Sequence, residues 1–401
     1  MPAAVDSAAR VAVVDTVVVP RYGTGALADV GPSVLAGLGV PDTVDVLGLP
    51  AASRVCVLLV DGLGWQLLAE HGDDAPFLAS LAAGREPITA GFPSTTATSI
   101  AALGTGLPTG EHGLVGYTFA TSDDELINVL GWSRHGVGRP DDLRGQVVPE
   151  QVQPQATVFE RAVEAGVTVH RVTARSQRDS GLTRAVLRGG EFRGVHALGD
   201  LAARAIEALR AEGRVLCYAY HADLDLLGHV HGPGTESWRF QLGYVDRLAA
   251  TIADRLPPDG MLVVTADHGM VAVAESDRVD FDTDPRLSDG VRLLGGEARA
   301  RHVYTAPGAL DDVRAAWSEV LGDRAWVRTR EEATAAGWFG PRVSDDARGR
   351  IGDLVVAARG NTAVVRSATE PVLSRFRGHH GSLTPAEQFV PLLVARQGQA
   401  G

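Results

Sequence analysis

The chain has 401 residues, enough for one large α/β domain with an insertion or for two domains. Hydrophobic residues make up 45% of it and charged residues 21%, an ordinary globular composition, and a net charge of -12 argues against an extended nucleic-acid scaffold, which needs a basic face. It contains no lysine, so all 37 basic residues are arginine, which excludes P-loop NTPases and Schiff-base enzymes.

An acidic chain can still take a nucleotide as substrate, because bound metal ions supply local positive charge. No aliphatic run approaches the roughly 20 residues that span a bilayer. The first thirty residues lack a basic start followed by an apolar stretch, so the expectation is a cytoplasmic protein with no membrane segment. Cys56 and Cys217 lie in apolar, strand-like runs and read as two buried free thiols, and no cysteine pair has metal spacing.

Residues 1–50, with an apolar run at 11–19 and then loops punctuated by proline and glycine, read as an N-terminal extension. From residue 55 the pattern becomes regular. A strand at 55–60 ends at Asp61-Gly62, and a helical stretch follows at 65–83. Ser94-Thr95-Thr96 precedes an apolar periodic run, the signal of a helix N-terminus. Further helices are expected near 157–165, 201–211 and 238–255, and strands at 167–172, 215–220 and 261–265. This alternation reads as βαβ units around a mostly parallel sheet. Between 271 and 378 the pattern loosens, with short strands at 353–358 and 362–365, and this stretch reads as an inserted cap or subdomain. A last core strand is expected at 390–394, so residues 51–270 and 379–398 form the core.

Four segments concentrate aspartate and histidine. Asp61 sits just past the carboxyl end of a strand, the edge where open α/β sheets bind ligands. In Asp223-Leu-Asp225-Leu-Leu-Gly-His229-Val-His231, the i, i+4 spacing puts Asp225 and His229 on one side of a helical turn. Thr265-Ala-Asp267-His268-Gly269-Met270 again runs a strand into a carboxylate, and Gly269 gives the backbone freedom to turn sharply. Gly378-His379-His380-Gly381 is a late pair in which one histidine is a bystander. Three aspartates and three histidines make two sets of three ligands, the mixture a pair of zinc or manganese ions uses. Ser94, Thr95, Thr96, Thr98 and Ser99 crowd one helix N-terminus, where unpaired amides and the helix dipole would favour an alkoxide nucleophile.

Together these segments resemble the nucleotide pyrophosphatase/phosphodiesterase branch of the alkaline phosphatase superfamily. Its Phe-Pro-x-x-Thr motif stands here as Phe92-Pro93-Ser94-Thr95-Thr96, followed by Thr105-Gly106-Leu107 and His112-Gly113. Its Asp-x-x-x-His-x-x-Gly-Pro motif matches Asp225, His229, Gly232 and Pro233; its Asp-His-Gly-Met motif matches Asp267 to Met270. The late Gly-x-His-Gly matches Gly378 to Gly381 and selects His380. The resemblance covers residues 55–395 and implies an alkaline-phosphatase-like three-layer α/β sandwich. It also implies Thr96 as nucleophile and two zinc ions, with manganese as the substitute. One ion would be held by Asp225, His229 and His380, the other by Asp61, Asp267 and His268.

One position departs from the family. An asparagine that contacts a phosphate oxygen is replaced by Ser99, so that contact is expected from Ser99 itself or from the Gly62 or Thr96 backbone amide. The resemblance implies a hydrolase that cleaves a phosphodiester or pyrophosphate bond of a small phosphorylated substrate, such as a nucleotide, through a threonyl-phosphate. The alternatives are a phosphomonoesterase, for which Arg134, Arg171 or Arg184 would be candidate clamps, a phosphotransferase, and a non-catalytic domain that binds a phosphorylated ligand. The missing Cys-x-Pro-x-Arg motif disfavours a sulfatase.

Overall fold

The computed structural model describes residues 16–121, 125–136 and 141–397; part of the apolar run at 11–19 lies outside them. Strands β1 (Arg54–Val60), β2 (Thr168–Ala174), β3 (Glu191–Val195), β4 (Val215–His221) and β5 (Gly260–Ala266) run parallel. Strands β6 (Val291–Glu297), β7 (Ala300–Thr305), β8 (Ala325–Thr329) and β9 (Leu354–Ala358) follow, and then β10 (Leu392–Arg396). The central sheet has the order β10-β5-β1-β4-β2-β3, with β10 antiparallel at its edge. β4 and β5 are buried at every position and β1 at all but Arg54. Strands without a polar face need cover on both sides, which is why the sheet is the middle layer of an α/β sandwich.

Registers within this sheet bring the chemistry together. Val60 stands level with His221 on one side and Ala266 on the other. The next residues, Asp61 and Asp267, therefore leave the sheet side by side at its carboxyl edge, where Ala222 and Asp223 also emerge from β4. Cys56 and Cys217 are likewise neighbours across β1 and β4, and both are buried free thiols.

Helix α1 (Val30–Gly37) buries Val30, Val34 and Leu35 in the main core, and Ala26 bridges Thr89, so residues 26–37 form part of the core wall. Its eight residues span barely two turns, too short for a periodic signal. The expected helix at 65–83 is broken into Trp65–Glu70, a 3₁₀ turn at Gly72–Asp74, and Pro76–Ala82. Pro76 has no N–H to continue a helix but suits the first turn of a new one, where it stands. Helix α2 (Thr96–Thr105) is buried along its whole length. Helices α3 (Asp223–His231) and α4 (Glu236–Ala253) pack on each other beside β5.

A second, antiparallel sheet of order β6-β7-β9-β8 has its own core, in which Trp317, Leu294, Val303, Leu321 and Val356 pack together. The β6–β7 hairpin reaches back toward the carboxyl edge of the central sheet. Its tip is anchored by Arg299, which pairs with Glu387, and by Arg301, which pairs with Glu370. No helix among the described residues is long and apolar enough to cross a membrane.

Candidate active site

Thr96 is the first residue of α2, and the preceding Thr95 is extended with no side chain capping the helix. The first-turn amides therefore face the site without helical partners. Thr96 Oγ1 lies 3.3 Å from His268 Nε2. That imidazole nitrogen is the centre of the site, 3.4 Å from Asp61 Oδ1 and 3.4 Å from Asp267 Oδ2. A second group lies beside it: His229 Nε2 is 3.2 Å from Asp225 Oδ2 and 3.2 Å from His380 Nε2. The His268 and His380 rings stack at 3.6 Å, joining the groups.

Hydrogen bonds behind the imidazoles fix how they face the site. His229 Nδ1 donates to Gly378 O at 2.8 Å, His268 Nδ1 to Gly269 O at 3.0 Å, and His380 Nδ1 to Ser94 O at 3.0 Å. Each carbonyl needs a donor, so the proton sits on Nδ1 and Nε2 presents a lone pair inward. Two such lone pairs then face each other across 3.2 Å. The carboxylates add to the excess. Asp61 Oδ1, Asp225 Oδ1 and Asp267 Oδ2 are all buried without a hydrogen-bond partner. Burial, and then the Asp267 and Asp225 charges, push the Asp61 carboxyl well above its ordinary range.

Converging orphan oxygens and lone pairs are what a divalent cation satisfies, and the mixed carboxylate and imidazole donors fit zinc or manganese. Asp225, His229 and His380 can supply one set of ligand atoms; Asp61, Asp225 and His268 can supply another. Asp225 therefore stands between the two sets, with Asp267 adjoining the second through His268.

Other expected residues sit differently. Ser99 Oγ donates to Asp267 O at 2.8 Å, and the Gly62 amide donates to Asp267 Oδ1 at 3.0 Å. A serine has one hydroxyl proton, so Ser99 positions the Asp267 backbone and has no donor left for a phosphate oxygen. The Gly62 amide positions the same residue through its side chain. Both expected oxyanion donors, Ser99 and Gly62, are thus engaged with Asp267. Gly269 also serves another purpose than a sharp turn, since a Cβ there would lie 1.9 Å from Ala386 O. His379 Nε2 donates to Phe376 O at 3.1 Å and stands outside both ligand sets. The candidate arginine clamps are engaged elsewhere: Arg134 with Glu125 and Asp141, Arg171 with the Leu187 and Gly190 carbonyls, Arg184 with Glu150.

Sequence reasoning did not single out Tyr220, whose hydroxyl donates to Asp61 Oδ2 in the buried site. Its place at the end of an apolar strand, one face away from Asp61, was the available signal. It also missed Glu297, at the tip of the β6–β7 hairpin, which no local pattern marks. Two clefts meet at the site and share Thr96, Leu130, Asp225 and His229. One, of about 230 Å³, is walled by Tyr117, Glu297 and Phe376; the other, of about 460 Å³, by Tyr218, Tyr220 and Leu182.

The model of the type I phosphodiesterase/nucleotide pyrophosphatase family matches residues 55–383. Among curated proteins, the phosphopentomutase of Anaeromyxobacter dehalogenans strain 2CP-1 is 31% identical over 179 residues, 44% of this chain and 42% of the relative. That of Anaeromyxobacter sp. strain K is 31% identical over the same shares. These matches span less than half the length of the relatives. Among solved structures, murine ectonucleotide pyrophosphatase/phosphodiesterase 5, an inactive threonine-to-alanine variant in complex with AMP, superposes with a TM-score of 0.64 at 16% identity, covering 86% of this chain and 88% of that one. The human counterpart gives 0.63 at 17% identity over 85% and 87%. At such identities the likeness is one of fold.

Proposed function

We propose, because this chain belongs to the type I phosphodiesterase/nucleotide pyrophosphatase family, that it is a metal-dependent phosphoric ester hydrolase whose nucleophile is Thr96. The observation that carries the reading is the convergence of three orphaned carboxylate oxygens and three inward-facing imidazole nitrogens beside the Thr96 hydroxyl. Asp225, His229 and His380 would hold one divalent cation and Asp61, Asp267 and His268 the other. Bound there, such ions supply the positive charge that makes an alkoxide accessible near neutral pH and stabilises a leaving oxygen.

The residues divide the remaining work. Thr96 gives up its hydroxyl proton to solvent and its oxygen attacks phosphorus in line, releasing the alcohol arm and leaving a threonyl-phosphate. Water hydrolyses that ester, which returns Thr96 and frees the phosphorylated arm. The Thr96 amide, at the first position of α2, is the donor suited to a phosphate oxygen, reinforced by the helix dipole. Tyr220 holds Asp61 in place through its hydroxyl. Residues 271–378, read as the insert, contribute the Glu297, Arg301, Val365 and Phe376 wall of the smaller cleft.

Two clefts meeting at one nucleophile suit a phosphorus that carries two organic arms. Arg134, Arg171 and Arg184 are engaged elsewhere and do not supply extra positive charge for a monoester dianion, which favours a phosphodiester or pyrophosphate bond as the substrate. A nucleotide arm is supported by the AMP complex of the murine fold relative, and the threonine role by that protein's inactive threonine-to-alanine variant. Phosphoryl transfer to a second alcohol is the other reading, favoured by the likeness to phosphopentomutases. The test is hydrolysis of bis-p-nitrophenyl phosphate and p-nitrophenyl phosphate side by side, with Zn²⁺ or Mn²⁺ and with chelator. Chelator-sensitive turnover favouring the diester is expected. Monoester preference would overturn the diester reading, and phosphate passed to an added acceptor alcohol in place of water would establish the transferase.

A further inference from the structure

The smaller cleft contains an acid that nothing in the phosphodiesterase reading uses. Glu297 ends β6, and every element around it is tied down. Thr118 Oγ1 donates to the Gly296 carbonyl at 2.9 Å, and Val364 N donates to Ala298 O at 2.7 Å. The two arginines nearest in sequence are committed to other acids. Arg299 grips Glu387 through Nε and Nη2 at 2.7 Å each, and Arg301 grips Glu370 at 2.9 and 3.2 Å. His135 completes Glu370 at 2.9 Å. Glu297 thus makes no ion pair among the described residues; Thr95 hydrogen-bonds its side chain, while its Oε1 is buried with no hydrogen bond.

The surrounding chain makes room for it there. A Cβ at residue 381 would lie 2.9 Å from Glu297 Cγ and 3.2 Å from its Oε1, so Gly381, beside His380, is what lets the side chain reach the cleft. Away from the ligand residues, the walls are Tyr117, Phe376, Leu130, Val365 and Leu373, together with Arg301 and Glu370, which pair with each other. The Tyr117 hydroxyl already accepts from Asn128 Nδ2 at 2.7 Å, and Phe376 stacks on the His229 ring at 4.7 Å, so both rings are fixed. A cleft of about 230 Å³ accommodates a short alkyl arm, and the buried acid within it disfavours an anionic one.

From this we infer that the Glu297 cleft is a specificity site for a substrate arm bearing an ammonium group, with Glu297 Oε1 accepting its N–H and the Tyr117 and Phe376 rings flanking it. The inference rests on the phosphodiesterase reading for the bond cleaved, but it concerns which arm is chosen. Burial pushes the Glu297 carboxyl up to about 8, outweighing the Thr95 hydrogen bond and the nearby Arg301 charge.

The test pairs two p-nitrophenyl phosphodiesters of equal size, one with a 2-aminoethyl arm and one with a propyl arm. Alongside runs calorimetry of 2-aminoethyl phosphate and propyl phosphate binding to the Zn²⁺-loaded Thr96→Ala protein. The expected result is a preference of at least about tenfold for the ammonium arm in kcat/KM and in affinity. Glu297→Gln, checked for an unchanged Tm, should reduce both preferences to near one. Equal affinity of the Thr96→Ala protein, with Glu297 intact, for both phosphates would overturn the inference. A preference that survives Glu297→Gln would overturn it as well. If neither ester turns over, the phosphodiesterase reading falls, whereas the calorimetric comparison still decides the role of Glu297.

Discussion

Two regions of the molecule bury carboxylates, and they treat them in opposite ways. At the β6–β7 hairpin tip, Glu387 meets Arg299 with both oxygens and receives the Ser382 amide as well, and Glu370 meets both Arg301 and His135. Around Thr96, Asp61, Asp225 and Asp267 face one another and neutral imidazoles, and each keeps an oxygen without a partner. Both regions are deeply buried and both are rich in hydrogen bonds, so neither property separates scaffold from site. What separates them is local charge balance. A buried acid matched by a guanidinium is architecture, and a buried surplus of negative charge is stable only with a cation supplied from outside.

The largest effect comes from removing charge in the unbalanced region. Asp267→Asn keeps an oxygen to accept the Gly62 and His268 amides at 3.0 Å and turns an N–H toward His268 Nε2. Turnover should fall on the order of 10³-fold or more as a cation ligand is lost. The chelated protein, however, should become more stable, by about 1 kcal/mol, because like-charge repulsion with Asp61 is relieved. Thermal melts in chelator check this; a lower Tm for the variant would mean the carboxylates are balanced without metal and would break the comparison.

In the balanced region the same kind of change should act with the opposite sign. Glu387→Gln leaves Arg299, fully buried, without its counter-charge, which should cost about 3–5 kcal/mol in urea unfolding. Glu370 adds a pH test. Burial would raise its carboxyl, but Arg301 and His135 outweigh that and hold it below the usual carboxylate range. A depressed folded-state value stabilises above the unfolded value of about 4.3 and loses that contribution as pH falls through the folded one. The stability gap between wild type and Glu370→Gln should therefore be full at pH 7 and narrow below about pH 4. A gap that widened on acidification would contradict the assigned ion pair.

Much of this was legible in the chain. The sheet announced itself because its strands are uninterrupted apolar runs, and Asp61, Asp225, Asp267 and His268 stand just beyond their carboxyl ends, where chemistry gathers. Local pattern failed where a residue's role depends on a distant partner. Tyr220 matters through Asp61, 159 positions away, and Glu297 matters because Gly381 leaves it space. The break at Pro76 was in principle readable and was overridden by the apolar periodicity on either side. The role of Ser99 could not be read, because its position in the motif pointed toward a phosphate while its hydroxyl turns to a backbone carbonyl.

Tyr220→Phe probes the support of the unbalanced region from behind. Losing the hydroxyl removes the donor to Asp61 Oδ2, so Asp61 should bind cation less well, and half-saturation by Zn²⁺ should shift upward about 10-fold. Turnover at saturating metal should change far less than metal affinity. A fall in turnover with unchanged affinity would place the hydroxyl on the substrate instead.

The smallest effect is expected at Ser99, where the distinction between support and contact is finest. The side chain is fully buried and its hydroxyl donates to the Asp267 carbonyl at 2.8 Å. Ser99→Ala removes that donor and leaves the carbonyl less satisfied, at a cost of about 1 kcal/mol in stability. Since the hydroxyl has no second proton to offer a phosphate, kcat/KM on a diester should stay within about threefold. A drop beyond about 30-fold with stability unchanged would mean that the serine rotates toward the substrate during turnover. Ser99 would then belong with the Thr96 amide as a donor to the phosphate, and the surplus charge around Asp267 would have to be held by its two backbone amides alone.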